Sequence, residues 1–264
     1  MAITSMAGKW ALVTGASSGL GVEFATSLAE QQANLVLVAQ RADRLAQLGA
    51  QLESRYRVRT AVEGVDLSAP GAGAALKRRL DARGIDVDIL VNNAGYGLYG
   101  SLVDQPLERT LDMLQLNIVT LTELTRLFAA DMVGRGSGHI ILVASILGYQ
   151  GVPGYAAYAA SKAYVLQFGE ALHEELRPHG VTVTVLSPGV TATAFGDVAA
   201  QRDTGTLRFL MMQPRPVARS GVAALLRRRS SVIAGAWNNL IVFSNRFTPR
   251  RLQRLIMQRV FAGR

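Results

Sequence analysis

Short apolar runs alternate along this chain with longer stretches of mixed polarity. Lys9–Thr14, Ala33–Ala39, Val58–Val65, Val87–Asn92, His139–Ser145, Val181–Ser187 and Ser231–Gly235 are continuous runs rich in Val, Ile and Leu. Strands buried on both faces read this way, because neither face needs polar positions for solvent. Leu20–Gln31, Arg44–Arg55, Leu107–Met132 and Tyr155–Leu176 instead repeat apolar residues at helical spacing. Strand–helix alternation with connections of this length calls for right-handed crossovers between parallel neighbours. The expected fold is α/β, a doubly wound parallel sheet of about seven strands with helices on both faces. No repeat or low-complexity linker interrupts residues 1–264, so one domain is expected.

The first strand runs into Thr14-Gly15-Ala16-Ser17-Ser18-Gly19-Leu20-Gly21 and then a helix. Glycines at this spacing let the backbone turn tightly, approach a pyrophosphate and pack the helix on the strand. The helix N-terminus then offers unpaired N–H groups to the phosphates. Such a turn can also be a plain strand–helix connection, but its place after the first strand points to a dinucleotide.

The tip of the second strand bears on which dinucleotide. A carboxylate there would bind the adenosine ribose and repel a 2′-phosphate. This strand ends instead in Ala39-Gln40-Arg41, with Arg44 one helical turn on. Both arginines can pair with a phosphate dianion or simply face solvent as a helix opens. NADP(H) is favoured, with NAD(H) left open. Asp66, followed by Leu67 after the third strand, is placed to meet the adenine or to cap a helix.

Five motifs then occur in order: Thr14-Gly-x-x-x-Gly-x-Gly21, Asn92-Asn93-Ala94-Gly95, Ser145, Tyr158-x-x-x-Lys162 and Pro188-Gly189. In order and spacing the chain resembles the short-chain dehydrogenase/reductase family over roughly residues 8–195. The resemblance implies a Rossmann-type domain, a nicotinamide cofactor, no metal, and a homodimer or homotetramer built on helix faces. It implies a small-molecule substrate interconverted between carbonyl and alcohol.

Tyr158 and Lys162 are four apart on a predicted helix, so their side chains share a face. A free tyrosine titrates near pH ~10; a neighbouring ammonium is expected to favour the phenolate and lower that value. The resemblance adds that Lys162 holds the nicotinamide ribose hydroxyls. Ser145, ending the fifth strand, can donate to a carbonyl oxygen as negative charge develops. Asn117 is a poor occupant of a helix interior unless its amide has a task. The family pattern matches it to an asparagine that kinks this helix and holds a water leading protons to the lysine. Tyr155 is the local competitor for the phenol role, but alanine stands four residues after it.

The resemblance also assigns supporting roles. Asn93, Ala94 and Gly95 would support the adenosine ribose and brace the sheet centre. After Pro188 and Gly189, backbone near Val190 and Thr191, with the Thr193 hydroxyl, would fix the nicotinamide carboxamide. Many family members carry an aliphatic residue where Thr191 stands.

Composition removes other chemistries. Apolar residues are 49% of the chain, and there is no cysteine, which excludes disulfides, thiolate catalysis and cysteine-ligated metals. His139, His173 and His179 show no metal-ligand spacing. Met1–Gly8 lacks the basic start and apolar run of a signal peptide. Val232–Phe243, broken by Asn238 and Asn239, falls short of the roughly 20 residues a bilayer span needs. A cytoplasmic location is expected.

Charge is uneven. Residues 201–264 hold thirteen arginines and one acid, Asp203, for +12, while the rest of the chain sums to −3. Without a nucleic-acid fold motif or interleaved aromatics, this basic charge is not read as a nucleic-acid site. Residues 247–264 form a basic amphipathic helix, with Leu252, Leu255, Ile256 and Val260 on one stripe. It can lie on an anionic membrane surface as a peripheral contact, dock a thioester carrier or coenzyme A substrate, or pack on the body. Residues 194–217, with Phe195, Leu207, Phe209, Leu210, Met211 and Met212, read as an apolar lid or as core. The tail and Val232-Ile233-Ala234-Gly235 resemble the branch of the family holding long-chain ketoacyl and hydroxysteroid reductases. A non-catalytic dinucleotide sensor on the same fold is the rival reading.

Overall fold

The computed structural model describes residues 5–193, 195–199 and 210–262. Its seven strands are β1 (Trp10–Thr14), β2 (Asn34–Ala39), β3 (Thr60–Gly64), β4 (Val87–Asn92), β5 (Gly138–Val143), β6 (Val181–Ser187) and β7 (Ser231–Ile233). They form one parallel sheet in the order β3-β2-β1-β4-β5-β6-β7. The chain winds one way from β1, then returns to pair β4 with β1 and winds the other way. That reversal opens a crevice beyond the carboxyl ends of β1 and β4, where such sheets bind ligands.

Strand residues send successive side chains to opposite faces. Leu35 and Leu37 of β2 join one core with α1 (Gly19–Glu30), α2 (Ala42–Tyr56) and a helix at Pro214–Leu226; Val36 and Val38 join the other. That second core holds α3 (Ala72–Ala82), α5 (Leu121–Gly134) and α6 (Ala156–Leu176). Strand continuity in the sequence is thus explained by burial on both faces.

The expected single helix over Leu107–Met132 is divided. α4 (Leu107–Leu114) passes into a π turn at Gln115–Thr120 before α5 begins. An inserted residue in a helical ladder of this kind redirects side chains and recurs at functional sites. Here it turns Asn117 fully inward.

After β6, Phe195–Val198 makes one turn, α7, and Pro214–Leu226 is α8. Glu30 accepts from Arg215 and Arg219 at 2.9 Å each, clipping α8 to α1. Of the expected lid, Leu207 and Phe209 lie outside the described residues, while Val217 at its far end is buried in the core. The chain ends in α9 (Ala236–Ser244) and α10 (Arg250–Ala262). No helix among the described residues is long and apolar enough to cross a membrane.

Candidate active site

A cavity of about 690 Å³ opens at the carboxyl end of the sheet. Gly15, Ser17, Ser18, Gly19 and Leu20 line one part of it; Ser145, Tyr158 and Lys162 line its wall; Pro188, Gly189, Thr191 and Thr193 close the side beyond β6. One cavity therefore joins the glycine turn to the Tyr158–Lys162 helix.

Two glycines make the turn tight. Gly15 has φ +67°, a left-handed conformation that a side chain would strain. A Cβ on Gly21 would run into the Gly15 carbonyl oxygen, so α1 packs on β1 only with glycine there. Ser18 precedes α1 with no side-chain hydrogen bond capping the helix, so the first N–H groups face the turn. Thr14 Oγ1 accepts from the Asn93 and Ala94 backbone N–H groups at 2.9 Å each, and Asn93 Nδ2 donates to the Thr14 carbonyl. These bonds hold the loop after β4 against the end of β1. Asn92 is turned away, donating to Thr125 at 2.9 Å.

Arg41, exposed at the tip of β2, donates to Ser17 Oγ at 3.1 Å and so leans onto the glycine turn. Arg44 is also exposed. The capping role considered for Asp66 is not what the structure has: α3 is preceded by Gly71, and Asp66 accepts from the Ser68 backbone and hydroxyl at 2.9 and 2.6 Å. Hydrogen bonds from Ser68 and Gln40 hold its carboxyl below the ordinary value. Leu67 corrects the expectation in another way. Its side chain is buried in the core and its carbonyl accepts from Thr120 at 2.8 Å, so only its N–H is left for a ligand. Arg41, Asp66, Leu67 and Gly21 are not in the cavity wall itself.

Ser145 follows β5 in extended backbone and caps a short turn, accepting from the Leu147 N–H at 3.2 Å. Its hydroxyl is hydrogen-bonded to the Tyr158 phenol. Lys162 is 4% exposed, and its ammonium donates to the Val143 carbonyl at 2.9 Å. The nitrogen lies 5.8 Å from the centre of the Tyr158 ring. The expected lowering of the phenol pKa is therefore corrected. Burial pushes Tyr158 up against the pull of the Ser145 hydrogen bond, and the same burial brings Lys162 down to about 8.

Asn117 donates to the Tyr96 carbonyl at 3.0 Å and to Ser161 Oγ at 3.2 Å, and accepts from the Tyr96 N–H at 3.3 Å. Ser161 in turn donates to the Tyr158 carbonyl at 2.7 Å. The amide thus ties the loop after β4 to the helix carrying Tyr158. Gly95 makes room: a Cβ there would stand 2.7 Å from Asn117 Oδ1 and 3.5 Å from Lys162 Nζ.

Thr191 donates to the Gly189 carbonyl at 3.0 Å and pairs with Met212, so Met212 faces the core rather than the cavity. Thr193 packs on Gly19, where a Cβ would come within 2.9 Å of its methyl. Phe195, Leu210 and Met211 do reach the cavity.

At the far end of the cavity the sequence had left open whether the tail meets a substrate, and had given the helix before it no part in the site. Ile241 and Val242 of α9, and Ile256, Met257, Val260 and Phe261 of α10, line it together with Tyr155. The Tyr99 hydroxyl donates to the Phe261 carbonyl at 2.9 Å, and the Tyr155 ring sits 5.1 Å from Tyr99 and 5.2 Å from Phe261. Gln253 donates to the Asn245 and Thr248 carbonyls at 2.7 Å each, fixing the turn between the helices. The signal was present in the apolar run 232–243, too short for a membrane and too apolar for an ordinary surface.

The short chain dehydrogenase family matches residues 9–203. The chain belongs to that family. Among relatives of this short-chain dehydrogenase, a very-long-chain 3-oxoacyl-CoA reductase of Pyrenophora tritici-repentis is 34% identical over 200 residues, 72% of this chain. The match spans 57% of that protein's length. A solved structure of a 7β-hydroxysteroid dehydrogenase superposes with a TM-score of 0.87 at 26% identity, covering 97% of this chain and 99% of the other. A short-chain dehydrogenase from Sphingobium yanoikuyae, in complex with NADPH, gives 0.80 at 31% identity, covering 90% and 94%.

Proposed function

We propose that this short-chain dehydrogenase interconverts a carbonyl and a secondary alcohol on a hydrophobic substrate, with NADP(H) as its cofactor. The observation carrying this reading is the buried Ser145–Tyr158 hydroxyl pair beside the Lys162 ammonium, in one cavity with the glycine turn.

The residues present fit the cofactor. Gly15, Ser17, Ser18 and Gly19 offer bare backbone and uncapped N–H groups to a pyrophosphate. Arg41 beside Ser17 offers a cation to a 2′-phosphate, and no acid stands at the tip of β2. Asp66 would meet the adenine, Asn93, Ala94 and Gly95 the adenosine ribose, Lys162 the other ribose, and Pro188, Gly189, Thr191 and Thr193 the carboxamide. The NADPH held by the Sphingobium relative agrees with this preference. When bound, the reduced nicotinamide supplies a hydride to the carbonyl carbon.

Tyr158 gives its phenolic proton to the carbonyl oxygen while Ser145 donates a hydrogen bond to the same oxygen. Burial keeps the phenol protonated, the form a reduction requires. The phenolate left behind is costly in a low-dielectric site, and the Lys162 ammonium offsets part of that cost. Asn117 acts as a positioning residue through Tyr96 and Ser161. Leu147, Tyr155, Phe195, Ile241, Val242 and Val260 make the substrate wall largely apolar. A reductase of long-chain acyl thioesters and a hydroxysteroid dehydrogenase among the relatives agree with a lipid-like molecule.

We also infer a homo-oligomer. Leu107 (70% exposed), Leu111 (54%), Val119 (52%) and Tyr164 (37%) leave apolar surface on α4, the π turn and α6 that a second copy would cover. Light scattering on the eluting protein tests this; a monomer at all concentrations contradicts it.

The functional test is NADPH binding, then NADPH consumption against aldehydes, ketosteroids and β-ketoacyl thioesters. Turnover of bulky apolar ketones is expected. Tight NADPH binding without turnover of any of them would favour a sensor instead.

A further inference from the structure

Helix α9 is apolar on both sides. Ile241 and Val242 line the cavity, while Trp237, Leu240 and Phe243 face outward with 67%, 55% and 53% of their surface exposed. A helix with apolar side chains on opposite faces needs cover on both, from the core and from a partner. Phe247, just beyond it, is 75% exposed.

Helix α10 continues the pattern, and here the stripe read from the sequence is rotated. Gln253 and Phe261 are buried, Met257 is half-buried, and Leu252 and Leu255 are left at the surface. Ile256 both lines the cavity and is 42% exposed, so the outer apolar surface runs up to the cavity mouth.

Arginines share these two helices and the turn between them. Arg246 lies over the Phe243 ring at 5.8 Å, and Arg250, Arg251, Arg254 and Arg259 are exposed. Among the described residues none of the five forms an ion pair, and no acid follows Asp203 in the chain. Two copies meeting through this face would oppose arginine with arginine, a repulsive arrangement. Unpaired arginines among exposed Trp, Phe and Leu match the boundary between anionic headgroups and acyl chains.

We propose that α9 and α10 seat the protein on an anionic lipid surface, from which the apolar substrate enters at Ile256. The seating stands on the surface alone; the entry of substrate rests on the function proposed above. Arginine stems lie along the interface with their heads among the phosphates, while Trp237 and Phe247 enter the acyl boundary. An acidic protein would satisfy the charge but leave these rings to be covered by other means.

The test uses the full chain and vesicles of phosphatidylcholine, alone or with about a third phosphatidylglycerol. Flotation and tryptophan emission are read; Trp237 is the exposed one of the two tryptophans. The wild type should float with the anionic vesicles, shift its emission to the blue, and be released by salt. Arg250→Ala with Arg251→Ala should cut partitioning by roughly 25-fold at low salt, about fivefold per arginine. Trp237→Ser with Phe247→Ser should abolish the binding. No flotation, or flotation unchanged by either pair, overturns the proposal. So does self-association, or capture of an acidic carrier protein, that is lost in these variants while vesicles are ignored. All variants should keep the wild-type turnover of a small water-soluble ketone. If no form turns over any ketone but anionic vesicles still bind, the catalytic reading fails and the seating stands.

Discussion

Lys162 and Tyr158 stand four residues apart on α6, yet the lysine ammonium reaches the Val143 carbonyl at 2.9 Å and lies 5.8 Å from the centre of the tyrosine ring. The ammonium is thus held beside the phenol rather than bonded to it, and both are buried. Burial disfavours charge on each: it lifts the phenol and brings Lys162 to about 8. The carbonyl reduction proposed above needs the protonated phenol and the charged lysine, both present below pH 8. Reduction should therefore be fastest at neutral pH and fall as Lys162 loses its proton, while alcohol oxidation rises. Rates in both directions between pH ~6 and ~10 check this; a reduction rate that climbs over that range contradicts it.

The same burial makes Lys162 a stability cost. Its folded value of about 8 lies below the ordinary 10.5, so between those values the unfolded chain binds the proton more readily. Stability should rise with pH across that window; below it, the buried ammonium costs roughly 3 kcal/mol. Lys162→Met removes this cost but orphans the Val143 carbonyl, worth about 1–3 kcal/mol. The variant is expected to melt at or above the wild-type temperature at pH ~7 and to lose turnover. A drop in Tm of more than ~5 °C would contradict the assignment of cost.

Arg41 bears on cofactor choice. A charge-assisted hydrogen bond to a phosphate is worth about 1.5–3 kcal/mol, so Arg41→Ala should weaken NADPH at least roughly tenfold and NADH less than about twofold. Titration of both cofactors decides; equal losses would remove the 2′-phosphate reading.

His139, at the start of β5, is 3% exposed and its Nδ1 has no hydrogen-bond partner among the described residues. Burial first, then the Lys9 and Arg228 charges, bring it from 6.5 to about 4. The unfolded chain takes up a proton that the native state refuses, so stability falls as pH drops through that window. His139→Leu should lose about 2 kcal/mol less than wild type between pH ~7 and ~4.5, measured by denaturant unfolding. Identical acid sensitivity in the two proteins would argue that the imidazole titrates freely.

Strands were legible because burial on both faces leaves an unbroken apolar signature, as in Leu35–Val38. The glycine turn was legible because its backbone admits few residues. Asn117 announced itself as an amide in a helix, but the π turn around it did not, since its sequence is helical on either side. Tyr158 and Lys162 were identified as a pair, yet their charge balance was misjudged, because spacing says nothing of burial depth. The tail misled for a similar reason. With apolar residues on several faces of α9 and α10, periodicity could not say that Gln253 would turn inward while Leu252 and Leu255 stayed outside.

The proposed proton delivery by Tyr158 is the centre of this account, and Tyr158→Phe tests it most directly. NADPH affinity should change less than about twofold, and kcat for a bulky apolar ketone should fall by roughly a hundredfold or more. A Tyr158→Phe protein that reduces the ketone at a rate close to the wild type would show that the proton comes from elsewhere.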